Sequence, residues 1–305
     1  MEIINYKCES NGLLRFILHA FFRKITNKSY RLTKKGNYQK SRKLMDKFGF
    51  SNVKNITYKK TTLSNFNALL ITPQKELNPK RIILFFHGGG FVLGSCKSHK
   101  SLVANIVKTS KTKAILFDYR LAPEHKFPAQ IDDAKNTYFT LIEEGYLPEN
   151  IIIMGDSAGG NMTLNFLLYL KNKQKPFPNK AVCLFPVCDP ASTKDSLIRN
   201  NKKDSFLSGE FKNLFSDLTF KNVEDQKKYN LLNQNLENLP PILVQIGTYD
   251  VLYDENIELI NVLKKAKNTG KAEIWDKMTH GWHGFKGILK ESQMAINNIH
   301  QFINN

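Results

Sequence analysis

Ser157 stands in the run Gly155-Asp156-Ser157-Ala158-Gly159, after the apolar, β-branched stretch Ile151–Met154 and before apolar positions that recur at helical spacing through Leu170. Strand, sharp turn and helix put this serine at an apex, where bulkier neighbours at 155 and 159 would collide with the strand or the helix. A serine hydroxyl is a weak nucleophile until a base takes its proton, and a neutral imidazole needs an acid to fix its tautomer. Candidate acids follow the apolar stretch Ile242–Ile246. Asp250 falls on the loop beyond it, where a carboxylate can reach over a sheet. Asp254 and Glu255 lie a turn further on and suit the first turn of a helix, where negative charge is stabilised. Candidate bases follow Ala272–Trp275: both His280 and His283 fit. His280 is nearer the strand end, and His283 starts or precedes a helix. Their loop position and the lack of a third ligand argue against a metal pair.

A second glycine cluster, His87-Gly88-Gly89-Gly90-Phe91, directly follows the continuous apolar run Arg81–Phe86. Without Cβ atoms its backbone N–H groups can approach a substrate closely. The serine's own turn opens a helix, whose first N–H groups are unpaired and carry partial positive charge. An oxyanion would be stabilised between the two. In α/β hydrolases a loop of this kind works with the N–H after the nucleophile, so the expected donors here are Gly88, Gly89 and Ala158.

The elements that must hold these residues alternate. Strands are predicted at Val53–Tyr58, Phe66–Ile71, Arg81–Phe86, Ala114–Phe117, Ile151–Met154, Ala181–Phe185, Ile242–Ile246 and Ala272–Trp275. Helices are predicted at His99–Ser110, Ile131–Glu143, Asn256–Ala266 and Ile288–Ile303. The alternation implies an α/β fold with a mostly parallel sheet of about eight strands and helices on both faces. Residues 190–235 break the rhythm with aromatic-rich amphipathic pieces and read as an inserted cap. Near the start, Leu13, Leu14, Ile17, Leu18, Phe21, Phe22 and Ile25 form one helical stripe, and a second basic helix is expected over Lys40–Phe48. The stripe must be buried, on the protein's own rim as a cap or in a membrane surface, and the rim is the favoured reading.

A chain of 305 residues suits one large α/β domain. Its net charge of +18 is unevenly spread: residues 1–60 carry 15 Lys and Arg against Glu2, Glu9 and Asp46, a net +12. No nucleic-acid recognition motif accompanies that excess, so a nucleic-acid partner is not expected. The excess leaves open a weak contact between the basic N-terminal region and an anionic membrane surface. Cys8, Cys96, Cys183 and Cys188 have no ligand or disulfide spacing. The apolar surroundings of Cys183 and Cys188 suggest buried free thiols in a reducing compartment, and the expected location is cytoplasmic. The N-terminus lacks the pattern of a signal peptide, and no apolar run approaches the roughly 20 residues of a membrane span.

Together His87–Gly90, Tyr119–Glu124 with Phe127-Pro128-Ala129, Gly155–Asn161, the run from Leu239 through Asp250 to Glu255, and Met278–His280 resemble the hormone-sensitive lipase family of α/β hydrolases, which includes bacterial esterases and arylacetamide-deacetylase-like enzymes. The resemblance spans about 80 to 290. It implies a triad of Ser157, Asp250 and His280, with residues 1–50 and about 190–235 capping an acyl pocket on a catalytic domain of residues 51–305. The expected activity is hydrolysis of short- to medium-chain acyl esters through an acyl-enzyme, without cofactor or metal. The expected partner is a small-molecule ester, and a homo-oligomer is left open. Two rivals remain: an amide or sugar deacetylase with the same triad, and a non-catalytic ligand-binding member, a reading the two surviving histidines disfavour.

Overall fold

The computed structural model describes residues 1–49 and 52–305. The expected boundary between cap and catalytic domain at residues 50 and 51 lies outside the described residues. Strands β1 (Glu2–Tyr6), β2 (Ile56–Leu63), β3 (Phe66–Pro73), β4 (Ile82–Phe86), β5 (Lys113–Phe117), β6 (Ile151–Asp156), β7 (Lys180–Leu184), β8 (Ile242–Gly247) and β9 (Lys271–Trp275) form one sheet in the order β1-β9-β8-β7-β6-β4-β5-β3-β2. Only β2 with β3 and β3 with β5 pair antiparallel; the remaining pairs are parallel. The central strands β4, β6 and β8 are buried at every residue, which is why each reads as a mostly apolar run, broken only by Gln245 in β8 and Asp156 at the end of β6.

The described residues form nine strands, in keeping with the expected sheet of about eight. The additional one, β1, has only partly buried side chains and no strong pattern of its own. It is recruited by β9, with Tyr6 stacked on Trp275 at 4.0 Å between ring centres.

Helices α1 (Gly12–Lys34) and α2 (Tyr38–Met45) precede β2, and α2 is followed by a 3-10 turn at Asp46–Gly49, so the expected second helix begins earlier and ends sooner than Phe48. The sheet is flanked by α3 (Cys96–Ser110), α4 (Ala129–Glu143) and α5 (Ala158–Asn172). Between β7 and β8 the chain makes α6 (Ser196–Arg199), α7 (Gly209–Thr219) and α8 (Val223–Lys228); α9 (Tyr253–Lys265) and α10 (Lys290–Asn304) complete it.

The N-terminal helices and the inserted segment meet. Phe22 of α1 lies 4.9 Å from Phe206 and 4.9 Å from Phe285, and Tyr30 lies 5.5 Å from Phe211. Arg23 donates to the Asp204 and Leu207 carbonyls, and Thr26 to that of Ser205. The apolar stripe of α1 nevertheless splits, against expectation. Leu14, Leu18 and Phe22 pack inward, whereas Leu13, Phe16, Ile17 and Phe21 are 55–67% exposed. The inward face is completed by buried Thr26, Ser29 and Thr33, whose hydroxyls bond within the protein, so small polar residues occupy positions that a purely apolar reading assigns to solvent.

Candidate active site

The turn from β6 into α5 is tight enough to dictate its sequence. A Cβ at Gly155 would fall on the Gly159 carbonyl, and one at Gly159 on the Phe86 carbonyl of β4. Between them Ser157 takes φ 54°, ψ −116°, a backbone conformation that costs a non-glycine residue roughly 1–3 kcal/mol and that the surroundings must impose. They do so with backbone bonds: Ser157 N–H donates to the Leu184 carbonyl of β7, and the Ser157 carbonyl accepts from Val187 and Asn161. The serine side chain sits almost buried at the N-terminus of α5.

Asp250 and His280 come from loops after adjacent strands, β8 and β9. His280 Nδ1–H donates to Asp250 Oδ2 at 2.9 Å, and Asp250 Oδ1 accepts from Leu252 N–H at 2.9 Å. Asp250 is fully buried and His280 is 8% exposed. Burial alone would lower the imidazole's pKa; the charge and hydrogen bond of Asp250, then the charges of Asp204 and Asp156, outweigh it and hold the ring above its usual 6.5. Ser157 and His280 line the same cavity of about 930 Å³, together with Gly89, Gly90 and Asp156.

His283, the other candidate base, is elsewhere. It is fully buried in the core, with Nε2–H donating to Gln245 Oε1 at 2.7 Å and no partner on Nδ1. Desolvation pushes its pKa down to about 3, so it is neutral and unavailable to the cavity. Asp254 and Glu255 occupy the first turn of α9, and Asp254 pairs with Arg199 at 2.7 Å.

Gly88 departs from expectation. Its N–H donates to Asp156 Oδ1 at 2.9 Å, and it does not line the cavity. Gly89 and Gly90, at φ +115° and +63°, line it instead, and among the described residues neither their N–H groups nor that of Ala158 has an acceptor. The triplet is therefore shifted by one residue relative to the sequence-based expectation, because its first glycine is consumed in fixing the loop. That anchoring is extensive. His87 is buried and held neutral by desolvation, with a pKa lowered to about 3; it stacks on Tyr119 at 4.0 Å, while the Tyr119 hydroxyl donates to the His87 carbonyl. Asp156 also meets His99 Nε2 at 3.3 Å. Arg42 of α2 donates to the Val92 and Ala122 carbonyls and forms a two-pronged pair with Glu124, tying α2 to the same loop.

Sequence reasoning missed Asp204. This fully buried carboxylate accepts four backbone N–H bonds: Oδ1 from Phe206 and Leu207, and Oδ2 from Val251 at 3.1 Å and His280 at 3.3 Å. One acid in the inserted segment thus clamps the residue after Asp250 and the backbone of His280. Burial first, then the neighbouring Asp250, raise its pKa to about 7. Nothing in the sequence around Asp204 marks this role, because the two partners that tie it to Asp250 and His280 lie 47 and 76 residues away.

Asp204, Asp250 and His280 are also the one group among the described residues whose donor atoms lie close enough together, within 4.8 Å, to suggest a metal. Four backbone donors saturate Asp204, and the His280 nitrogen that faces Asp250 is spent on their mutual hydrogen bond, so of the three only Asp250 keeps free lone pairs between them. The donor set does not fit a cation.

This arrangement belongs to a defined class. A family profile described as alpha/beta hydrolase fold matches residues 83–284, and the chain belongs to that family. It is 31% identical over 229 residues to an esterase of Acinetobacter venetianus, covering 74% of this chain and 76% of the relative, and 29% identical over 236 residues to an acetyl-hydrolase of Streptomyces hygroscopicus, covering 77% and 78%. Among solved structures it resembles an esterase from the bacterial hormone-sensitive lipase family, with 29% identity, a TM-score of 0.88 and coverage of 96% of this chain and 98% of that one. It also resembles EstE5 soaked with p-nitrophenyl butyrate, with 33% identity, a TM-score of 0.82 and coverage of 87% and 90%.

Proposed function

We propose that the chain is a serine carboxylic ester hydrolase acting on short- to medium-chain acyl esters through an acyl-enzyme. The observation that carries this is a strained serine opening into the same cavity as an imidazole whose far nitrogen is already committed to a buried carboxylate. Ser157 Oγ attacks the ester carbonyl while His280 Nε2 takes its proton. The N–H groups of Gly89, Gly90 and Ala158 receive the charge that develops on the carbonyl oxygen. His280 then returns the proton to the leaving alcohol, and water, deprotonated in turn by His280, releases the acid. Asp250 holds the tautomer and stabilises the imidazolium throughout.

In this reading residues 1–50 and about 190–235 cap the acyl pocket: Phe22, Ile25 and Thr26 from the first segment and Phe206, Phe211 and Phe215 from the second line the cavity that holds Ser157. The substrate is a small-molecule ester, and the charge of the N-terminal region leaves room for a weak contact with anionic membrane surfaces. Four unpaired cysteines support a cytoplasmic setting. Among the described residues no helix is long and apolar enough to cross a membrane.

A panel of nitrophenyl esters from acetate to palmitate tests the proposal, with Ser157→Ala beside the natural protein. Turnover of the shorter esters is expected, abolished almost entirely in the variant, with fluorophosphonate labelling lost in parallel. Undiminished labelling of Ser157→Ala removes the nucleophile assignment. Labelling of Ser157 with turnover of amides or acetylated sugars but no esters would transfer the protein to the deacetylase reading.

A further inference from the structure

The exposed half of α1 is apolar where helices of water-soluble proteins are ordinarily polar. Leu13, Phe16, Ile17 and Phe21 recur at three- and four-residue spacing, so they share one side of the helix, and each is more than half exposed. The same side continues through Lys24, Lys28 and Arg31, also exposed. No acidic residue occurs between Glu9 and Asp46. One face thus presents inserted-type side chains along its first turns and cations along its last, the pattern of a helix lying in the plane of a lipid surface.

Position relative to the cavity gives the face a purpose. Phe21 is at once part of the exposed side and part of the cavity wall, and exposed Lys47 and Lys97 and half-exposed Ile288 line the same cavity beside half-buried Asp46; Lys286 lines it too, with its ammonium bonded to the Asn105 carbonyl and the Thr109 hydroxyl. A surface touching α1 at Phe21 therefore touches a wall of the cavity that holds Ser157, where the two exposed lysines outnumber the one half-buried aspartate.

Resting on the ester-hydrolase reading, we propose that the outer face of α1 docks the protein on an anionic lipid surface and that the substrate is an acyl ester drawn from that surface into the cavity. Anionic lipid is the occupant because the apolar side chains alone would suit many partners, but the uninterrupted cations select negative charge. A second copy of the chain is disfavoured by the same argument: a symmetric contact through this face would bring two identical cationic stretches together on molecules of +18 each.

The test uses the full chain and vesicles of phosphatidylcholine, alone or mixed with phosphatidylglycerol. Co-sedimentation with the mixed vesicles is expected to exceed that with the neutral ones by about tenfold or more at low salt and to fall as salt screens the surface. The paired variants Phe16→Ser with Ile17→Ser, and Lys24→Glu with Lys28→Glu, should each lose binding while turnover of dissolved p-nitrophenyl acetate is unchanged, since these side chains stand outside the site. Absence of co-sedimentation, or co-sedimentation that both variants retain, overturns the proposal. So does a dimer in analytical ultracentrifugation that Phe16→Ser with Ile17→Ser dissolves. Failure of the underlying reading looks different: p-nitrophenyl acetate would not be turned over whatever the vesicles do.

Discussion

Replacing Asp204 with Asn separates two contributions that one carboxylate makes. As a clamp, it accepts N–H bonds from Phe206 and Leu207 on one oxygen and from Val251 and His280 on the other. An amide keeps one accepting oxygen and turns the other into a donor, so two buried backbone N–H groups lose their acceptor and face an NH₂. At about 1–3 kcal/mol for each unsatisfied group, the variant should be less stable by about 2–6 kcal/mol, or about 3–10 °C in melting temperature for a chain of this size. As a charge, Asp204 helps to hold the proton on His280, behind Asp250. In the proposed mechanism the base works as the neutral ring, so kcat/KM should fall when pH drops through the His280 pKa, which lies above 6.5 in the natural protein. Asp204 itself titrates at about 7, so it is only partly charged where His280 takes up its proton. Removing that partial charge still lowers the His280 pKa, and the acid limb of the profile should move to lower pH by less than loss of a full charge would move it.

The assays are thermal unfolding and a pH profile of kcat/KM on a soluble nitrophenyl ester, recorded below the melting range of the variant. A purely structural role lowers the melting temperature and leaves the limb in place. An acid limb that stays put or moves to higher pH, or a melting temperature within a degree of the natural protein's, would refute the reasoning.

Other outcomes follow from the same geometry. His280→Ala should lower turnover by several orders of magnitude, as loss of a triad member does in serine hydrolases, with correctly folded protein by circular dichroism. His283→Ala should instead act on stability, because the ring fills core space and bonds to Gln245; the melting temperature falls while the pH profile of what remains folded keeps its shape. Phe215→Ala should shift the preference in a nitrophenyl ester series toward longer acyl chains, because this ring lies against Gly90 and lines both the main cavity and a small chamber of about 30 Å³ beside Ser157 and Ala158. An unchanged chain-length profile would show that the acyl group lies elsewhere.

Much of this molecule is local information. Strands such as β4, β6 and β8 are buried along their whole length, so each is almost entirely apolar, with Gln245 in β8 and Asp156 at the end of β6 admitted through hydrogen bonds, and the alternation of such runs with amphipathic segments leaves little besides a parallel α/β sheet. The serine turn is equally legible, since only small residues satisfy the approach of Gly155 and Gly159 to neighbouring carbonyls. The pairing of Asp250 with His280 was readable as one of several combinations; distance chose among them, because Gln245 and the core claim His283.

Tertiary structure alone decided four things. The edge strand β1 exists because β9 offers its backbone and Trp275 a ring to stack on, neither of which is encoded in residues 2–6. Gly88 gives its N–H to Asp156, 68 residues away, which moves the free donors to Gly89 and Gly90. The stripe on α1 divides into an inner and an outer face because only part of a helix's circumference can meet α2, the inserted segment and the loop after β9, and Thr26, Ser29 and Thr33 win inward places through hydrogen bonds that no hydropathy pattern reveals. Asp204 reaches the loops of Asp250 and His280 across the fold. Hydrophobic periodicity records what a segment does with its own neighbours along the chain; the direction of a hydrogen bond between distant segments is fixed only when packing brings donor and acceptor within about 3 Å.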